Sequence, residues 1–189
     1  MGRDRPVQAK SAHRDSAISP AAPIIDSILP AGETLRRFQS TLTPVSELSA
    51  SIRSRDALVA RFMSAIESGD SAALKRLLVS KDEYAFLYFP TSTYTRKPYE
   101  LPPDIAWLLS EQNNLKGFVR LTRRLGGKSL GFRGYECGDP VTESENRFWR
   151  ACRITYVDPT TGLHVTRALF GAIMERAGNY KFLSYANDF

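Results

Sequence analysis

The first 45 residues carry no sustained hydrophobic period. They are rich in Ser, Ala and Pro and read as an extended or flexible arm preceding a domain over residues 46–189. Within the arm, Pro23 to Pro30 encloses an apolar plug (Ile24, Ile25, Ile28, Leu29), and Glu33 to Phe38 suits one or two helical turns. Such an arm floats unless Ile24, Ile25, Ile28, Leu29 and Phe38 find a groove, on their own domain or on a partner. From Ser46 the period becomes helical, because Leu48, Ile52, Val59, Phe62 and Ile66 recur at steps of three, four and seven. Gly69 suits the left-handed end of that helix, and Asp70 suits the cap of a second helix over Ser71 to Val79, which buries Leu74, Leu77 and Leu78.

Residues Glu83 to Phe89 are aromatic-rich and alternate, which predicts a strand ended by Pro90 and presenting Tyr84, Phe86 and Tyr88 on one face. A loop containing Tyr94 and Tyr99 follows. A third helix starts at Pro102-Pro103-Asp104, where proline is preset for the first turn, and runs to Leu125. A kink is expected at Gly117 and a stop at Gly126-Gly127. The last third predicts four strands: Lys128 to Cys137, Arg147 to Val157, Leu163 to Glu175 and Tyr180 to Tyr185. Turn signals at Asp158 to Gly162 and Arg176 to Asn179 join them as an antiparallel meander. The fold class is therefore α+β, with three helices packed on one face of a curved antiparallel sheet.

Two segments carry a likeness to a known family. Residues Phe62 to Leu74 (FMSAIESGDSAAL) take one helix through Gly-Asp straight into the next, and Tyr180 to Tyr185 (YKFLSY) form a closing strand. Over about residues 50–189 the chain resembles the nuclear transport factor two-like (cystatin-like) superfamily. The resemblance implies a cone-shaped domain with an apolar pocket and an open sheet face that often dimerises. That superfamily includes dehydratases, isomerases and polyketide cyclases as well as non-catalytic binding and assembly domains, so the likeness speaks to shape more than to chemistry.

At 189 residues and 42% hydrophobic content the chain suits one domain with an extension. A net charge of +6, from 26 basic and 20 acidic residues, tilts it mildly toward anionic surfaces. No apolar run approaches the ~20 residues that span a bilayer. Met1 to Pro6 is charged, lacks the start of an export signal, and has Pro6 where a myristoylation motif wants Ser or Thr. Cys137 and Cys152 lie in adjacent strands. A hairpin turning near Thr142 to Asn146 would set them opposite each other, either as a disulfide or as two buried thiols. The disulfide reading favours a periplasmic or secreted mature form; the alternative is the cytoplasm.

The chemistry is sparse. Proton-transfer enzymes of the resembling family use a His–Asp pair or an Asp beside Tyr inside the cone, but only His13, in the arm, and His164, at a strand start, are available. Asp82 and Glu83 precede a strand, and Glu143 and Glu145 sit in a turn. Glu136, beside Tyr135 and Cys137, is the one in-strand candidate for a catalytic base. Two cysteines without neighbouring histidines offer no zinc site, Gly126-Gly127-Lys128 lacks a phosphate-loop pattern, and no cofactor is implied. Tyr84, Phe86, Tyr88, Trp107, Tyr135, Trp149, Tyr156 and Tyr185 either fill a core or line a cavity for a flat apolar ligand. Lys116, Arg120, Arg123, Arg124 and Lys128 form a basic stripe opposite Leu115, Phe118 and Leu125. The stripe is either a solvated face or a contact for an anion or acidic partner, and nothing beside it stacks bases as nucleic-acid binding requires. The expectation is a non-enzymatic binding or accessory domain that docks a protein partner, a second copy or an apolar ligand through its sheet or arm. The alternative is an isomerase or dehydratase working through Tyr and Glu136.

Overall fold

The computed structural model describes residues 1–2, 29–49 and 51–189. His13 and the plug residues Ile24, Ile25 and Ile28 lie outside the described residues. Helix α1, Ala31–Gln39, buries Phe38, which joins Leu48, Tyr84, Leu87, Phe148 and Met174 in one apolar cluster, with Leu35, Leu42 and Val45 packed around it. The C-terminal part of the stretch read as an arm is thus integrated into the folded body.

Helix α2, Arg55–Ser68, starts nine residues later than the apolar spacing predicts, because Ser54 takes an extended conformation and its hydroxyl caps the Ala57 amide. Leu48 and Ile52 are still buried, but from irregular chain: the Ile52 carbonyl accepts a hydrogen bond from the Tyr180 amide, tying that segment to the sheet. Gly69 closes α2 in the left-handed region (φ 70°), and the Asp70 carboxylate caps α3, Ser71–Arg76, at the Ala73 amide. Helix α3 is shorter than expected. Beyond it the Val79 amide donates to the Phe182 carbonyl, so the chain turns into a sheet partner.

The predicted strand at Glu83 to Phe89 is helical. Helix α4, Lys81–Glu83, passes into a wide π turn, Tyr84–Tyr88, and a 3-10 turn, Phe89–Thr91. The cause is local: Ser80 and Glu83 form a reciprocal capping box that nucleates a helix just where the aromatic propensity favours a strand. Tyr84 and Tyr88 therefore share a face, and Phe86 leaves it.

Helix α5, Pro103–Leu125, opens on Pro103 as expected and runs unbroken through Gly117. That glycine serves close approach, since a Cβ there would lie 1.9 Å from the Tyr185 carbonyl oxygen. On this helix Leu125 is buried and Phe118 half-buried, but Leu115 faces out, contrary to the expected apolar face.

Seven short strands replace the four long ones: β1 Gly134–Glu136, β2 Val141–Glu143, β3 Asn146–Trp149, β4 Arg153–Val157, β5 His164–Arg167, β6 Ile173–Arg176 and β7 Asn179–Phe182. They form antiparallel sheets in the orders β2-β3-β6-β7 and β1-β4-β5. Only Gly134–Glu136 of the stretch from Lys128 is strand. The Arg147 to Val157 segment breaks between β3 and β4, where Ala151 takes φ 52°, and the Leu163 to Glu175 segment breaks between β5 and β6. Both breaks fall between the same rungs, since β3 pairs with β6 and β4 with β5. The two sheets are halves of one antiparallel array bent at a common line. The main core sits inside that bend, where Phe62, Phe170, Phe182 and Tyr185 meet with ring centroids 4.4–5.9 Å apart. The class is α+β with antiparallel sheets. No helix among the described residues is long and apolar enough to cross a membrane.

Candidate functional site

The cysteines are bonded. Cys137 follows β1 and Cys152 precedes β4, so the pairing of Glu136 with Arg153 brings the two Cα atoms to 3.9 Å. The apposition is that of the expected hairpin: the chain turns between Glu143 and Asn146, and the register that pairs Val141 with Phe148 continues across the bend to Glu136 and Arg153, setting Cys137 opposite Cys152.

Between α5, the helical segment from Lys81 to Thr91 and the segments flanking β6 and β7 lies a cavity of about 560 Å3. Its apolar wall is built by Tyr84, Tyr88 and Trp107, with Tyr84 in contact with Trp107 (5.1 Å between centroids) and with Tyr88 (5.3 Å). The π turn makes this possible: with a strand at this place the two tyrosines would project alongside Phe86. Tyr94, from the 3-10 turn Thr93–Thr95, adds a third phenol.

Its polar rim is cationic. Lys116 and Arg120 lie four residues apart on α5, hence on one face, and Arg150 enters from the bend after β3. Arg150 is held by Glu143 at 2.9 Å. Ser110 and Asn113 supply neutral polar groups. Among the described residues no carboxylate lines this cavity. The Tyr84 hydroxyl is buried without a hydrogen-bond partner among the described residues. Burial, reinforced by the nearby Tyr88 and Tyr94 hydroxyls, pushes its pKa well above the ordinary phenol range. Burial likewise pushes Tyr88 up to about 12. At neutral pH both are O–H donors.

The structure thus brings together five of the residues singled out from sequence: Tyr84, Tyr88 and Trp107 from the aromatic set, Lys116 and Arg120 from the basic stripe. The others go elsewhere. Phe86 is half-buried against the second apolar cluster. Trp149 packs beside Tyr180 under the Arg55 and Arg147 guanidinium groups. Tyr156 and Tyr185 belong to the main core, and the Tyr185 hydroxyl donates to the Leu74 carbonyl at 2.6 Å. Tyr135 donates to Asp56 at 2.6 Å. Arg123, Arg124 and Lys128 border a separate recess with Asp158 and Arg167, and Arg124 stacks on Phe189. Glu136 and His164 are exposed. Tyr94, Asn113 and Arg150 escape sequence reading because a turn, a neutral helix position and a sheet bend deliver them.

Two further features stand out. Glu83 and Lys181 form an ion pair at 2.8 Å, each with no more than 3% of its side chain exposed. The Glu83 carboxylate also accepts from the Ser49 amide (2.6 Å) and the Ser80 amide (2.7 Å), and the Lys181 ammonium donates to the Ser49 hydroxyl. Sequence reading placed Glu83 ahead of a strand; the Ser-x-x-Glu signature of the capping box was the signal for its true setting. On the other flank of α5, a broader groove of about 1120 Å3 runs between α2, α3 and α5. Small and aliphatic residues such as Ala60, Ala73 and Leu78 line it, with charges of both signs around them. Comparison of the chain with protein-family models, curated proteins and solved structures finds no match in any of the three.

Proposed function

We propose that this chain is a binding domain for a small organic anion, with a flat apolar body and a carboxylate or phosphate, held in the cavity between α5 and the Lys81–Thr91 segment. One observation carries the reading: three phenols and an indole share a single cavity with Lys116, Arg120 and the Glu143-paired Arg150, and among the described residues no carboxylate lines it. Aromatic walls suit a flat body, phenolic O–H groups kept protonated by burial suit an acceptor oxygen, and the cations suit its charge. A cavity that merely completed the core would have no use for three cations around it. The lining holds and orients a ligand but, among the described residues, offers no carboxylate or histidine to move a proton, which favours binding over the isomerase or dehydratase alternative. Glu136 lies outside the lining.

The α+β class with antiparallel sheets agrees with the nuclear transport factor two-like resemblance at the level of class alone, since the helices do not form the three-helix layer which that resemblance implies. The Cys137–Cys152 bond supports a periplasmic or secreted setting.

The test is a thermal-shift and calorimetric screen of aromatic carboxylates and aryl phosphates, each beside its neutral amide or alcohol. A ligand present at ~100 times its Kd should stabilise the fold by about 2.7 kcal/mol. That gain should be absent with the neutral analogues and lost in the Lys116→Ala/Arg120→Ala variant. Equal stabilisation by charged and neutral compounds, or none across the panel, would overturn the reading.

A further inference from the structure

Among the described residues, helix α5 leaves a second seam uncovered. Ile105, Leu108, Gln112, Leu115 and Val119 recur at alternating steps of three and four, and the four apolar members are 41–62% exposed. They lie diametrically opposite Ala106, Gly117, Leu121 and Leu125, which face the body of the protein. The spacing is that of a heptad, with β-branched Ile105 and Val119 at the first position and Leu108 and Leu115 at the fourth. From these observations we infer that α5 pairs with α5 of a second copy as a short parallel two-stranded coiled coil, placing the two bodies back to back.

The flanking charges and the one polar seam residue select that occupant and that direction. Glu111 precedes the seam on one side and Lys116 follows it on the other, and in a parallel in-register pair the residue at the seventh heptad position faces the partner's fifth position in the next heptad. Glu111 of each copy then meets Lys116 of the other, twice by symmetry. Gln112 meets its own counterpart across the axis, where two amides can exchange hydrogen bonds. An antiparallel arrangement would set the Gln112 amide against a leucine, leaving it desolvated and unpaired, and would leave Glu111 without a cation. β-Branched residues at the first position with leucine at the fourth favour two strands. The helix is already held by its own domain, so pairing does not bear the cost of forming it. The seam is only ~21 Å long at 1.5 Å per residue, so the dimer is weak and concentration-dependent.

The full-length chain is taken through sedimentation velocity between ~5 and ~500 μM. A reversible monomer–dimer equilibrium is expected. Leu115→Glu should abolish it with an unchanged far-ultraviolet circular dichroism spectrum, and Leu115→Met should retain it. Glu111→Lys should weaken it about tenfold, and Glu111→Lys/Lys116→Glu should restore it. Because both native cysteines are bonded to each other, the single thiol of Leu115→Cys reports proximity: the in-register parallel pair sets the two positions face to face, and oxidation should link two chains. A chain monomeric at every concentration overturns the proposal. So does a dimer indifferent to Leu115→Glu, or a dimer that does not cross-link through Leu115→Cys. A monomer in which that thiol is shielded from a maleimide would show the seam covered by the chain's own residues, and would equally overturn it.

Discussion

Replacing Lys181 by Met tests how much of the fold rests on one buried ion pair. The ammonium touches Glu83 at 2.8 Å and the Ser49 hydroxyl at 2.9 Å, with both charged groups almost wholly out of water. Met fills most of the volume but leaves a carboxylate buried with only two backbone amides for company. Uncompensated buried charge of this kind costs about 3–5 kcal/mol, a large part of a total stability of ~5–15 kcal/mol. Removing both charges in Glu83→Leu/Lys181→Met orphans the Ser49 and Ser80 amides at about 1–2 kcal/mol each, yet strands no charge. The double variant should therefore be more stable than the sum of the single losses by at least ~2 kcal/mol. The dependence on pH supplies the sign. Burial raises the Glu83 pKa, but the Lys181 hydrogen bond and the Ser49 and Ser80 amides outweigh it, and the net value lies below the ordinary carboxylate range. In the natural chain Glu83 therefore contributes stability that is present above ~4.3 and is lost as pH falls through its depressed folded value. Without Lys181, burial wins and the folded pKa rises, so the variant suffers most at neutral pH and its deficit narrows as the buffer approaches pH ~4. Urea unfolding at a series of pH values, by fluorescence and circular dichroism, measures all three variants. A Lys181→Met loss under ~1 kcal/mol, or a deficit that does not vary with pH, would refute the account.

Three other outcomes follow from single contacts. Gly117→Ala, normally a gain of ~1 kcal/mol inside a helix, should instead destabilise by about 2–3 kcal/mol in chemical unfolding, because its Cβ would lie 1.9 Å from the Tyr185 carbonyl oxygen. Reducing the Cys137–Cys152 bond, which closes a loop of 15 residues, should cost about 3 kcal/mol and lower Tm by ~6–12 °C in a calorimetric scan with and without reductant. Phe62→Ala, at the junction of the Phe170, Phe182 and Tyr185 rings, should cost about 3–5 kcal/mol by urea titration, whereas Leu163→Ala, 65% exposed, should stay within ~0.5 kcal/mol.

Local rules were enough for the elements whose ends carry their own chemistry. Gly69, Asp70, Pro103 and the Asp158 to Gly162 turn each do what their backbone and side-chain preferences dictate, since cap and turn geometry involves only near neighbours. The pattern of burial was also legible, as Leu48 and Ile52 sit inside although neither is helical. What sequence could not decide were questions answered by distant partners. Tyr84 to Tyr88 coil rather than extend because the Ser80–Glu83 capping box starts a helix, a signal written within four residues; the distant part is Lys181, 98 residues beyond Glu83, which pairs with its buried carboxylate. The long strands break because the sheet must bend around the Phe62 cluster, a demand no strand carries in its own residues. Gly117 reads as a kink until the Tyr185 carbonyl is seen against it. The candidate cavity belongs to the same category. Its aromatic and basic residues were each visible, but α5, a π turn and a sheet bend had to meet before Tyr84, Trp107, Arg120 and Arg150 faced one space. Hydrophobic period and capping act over a few residues and are written locally; convergence of side chains depends on which elements pack together, and only the tertiary structure determines that.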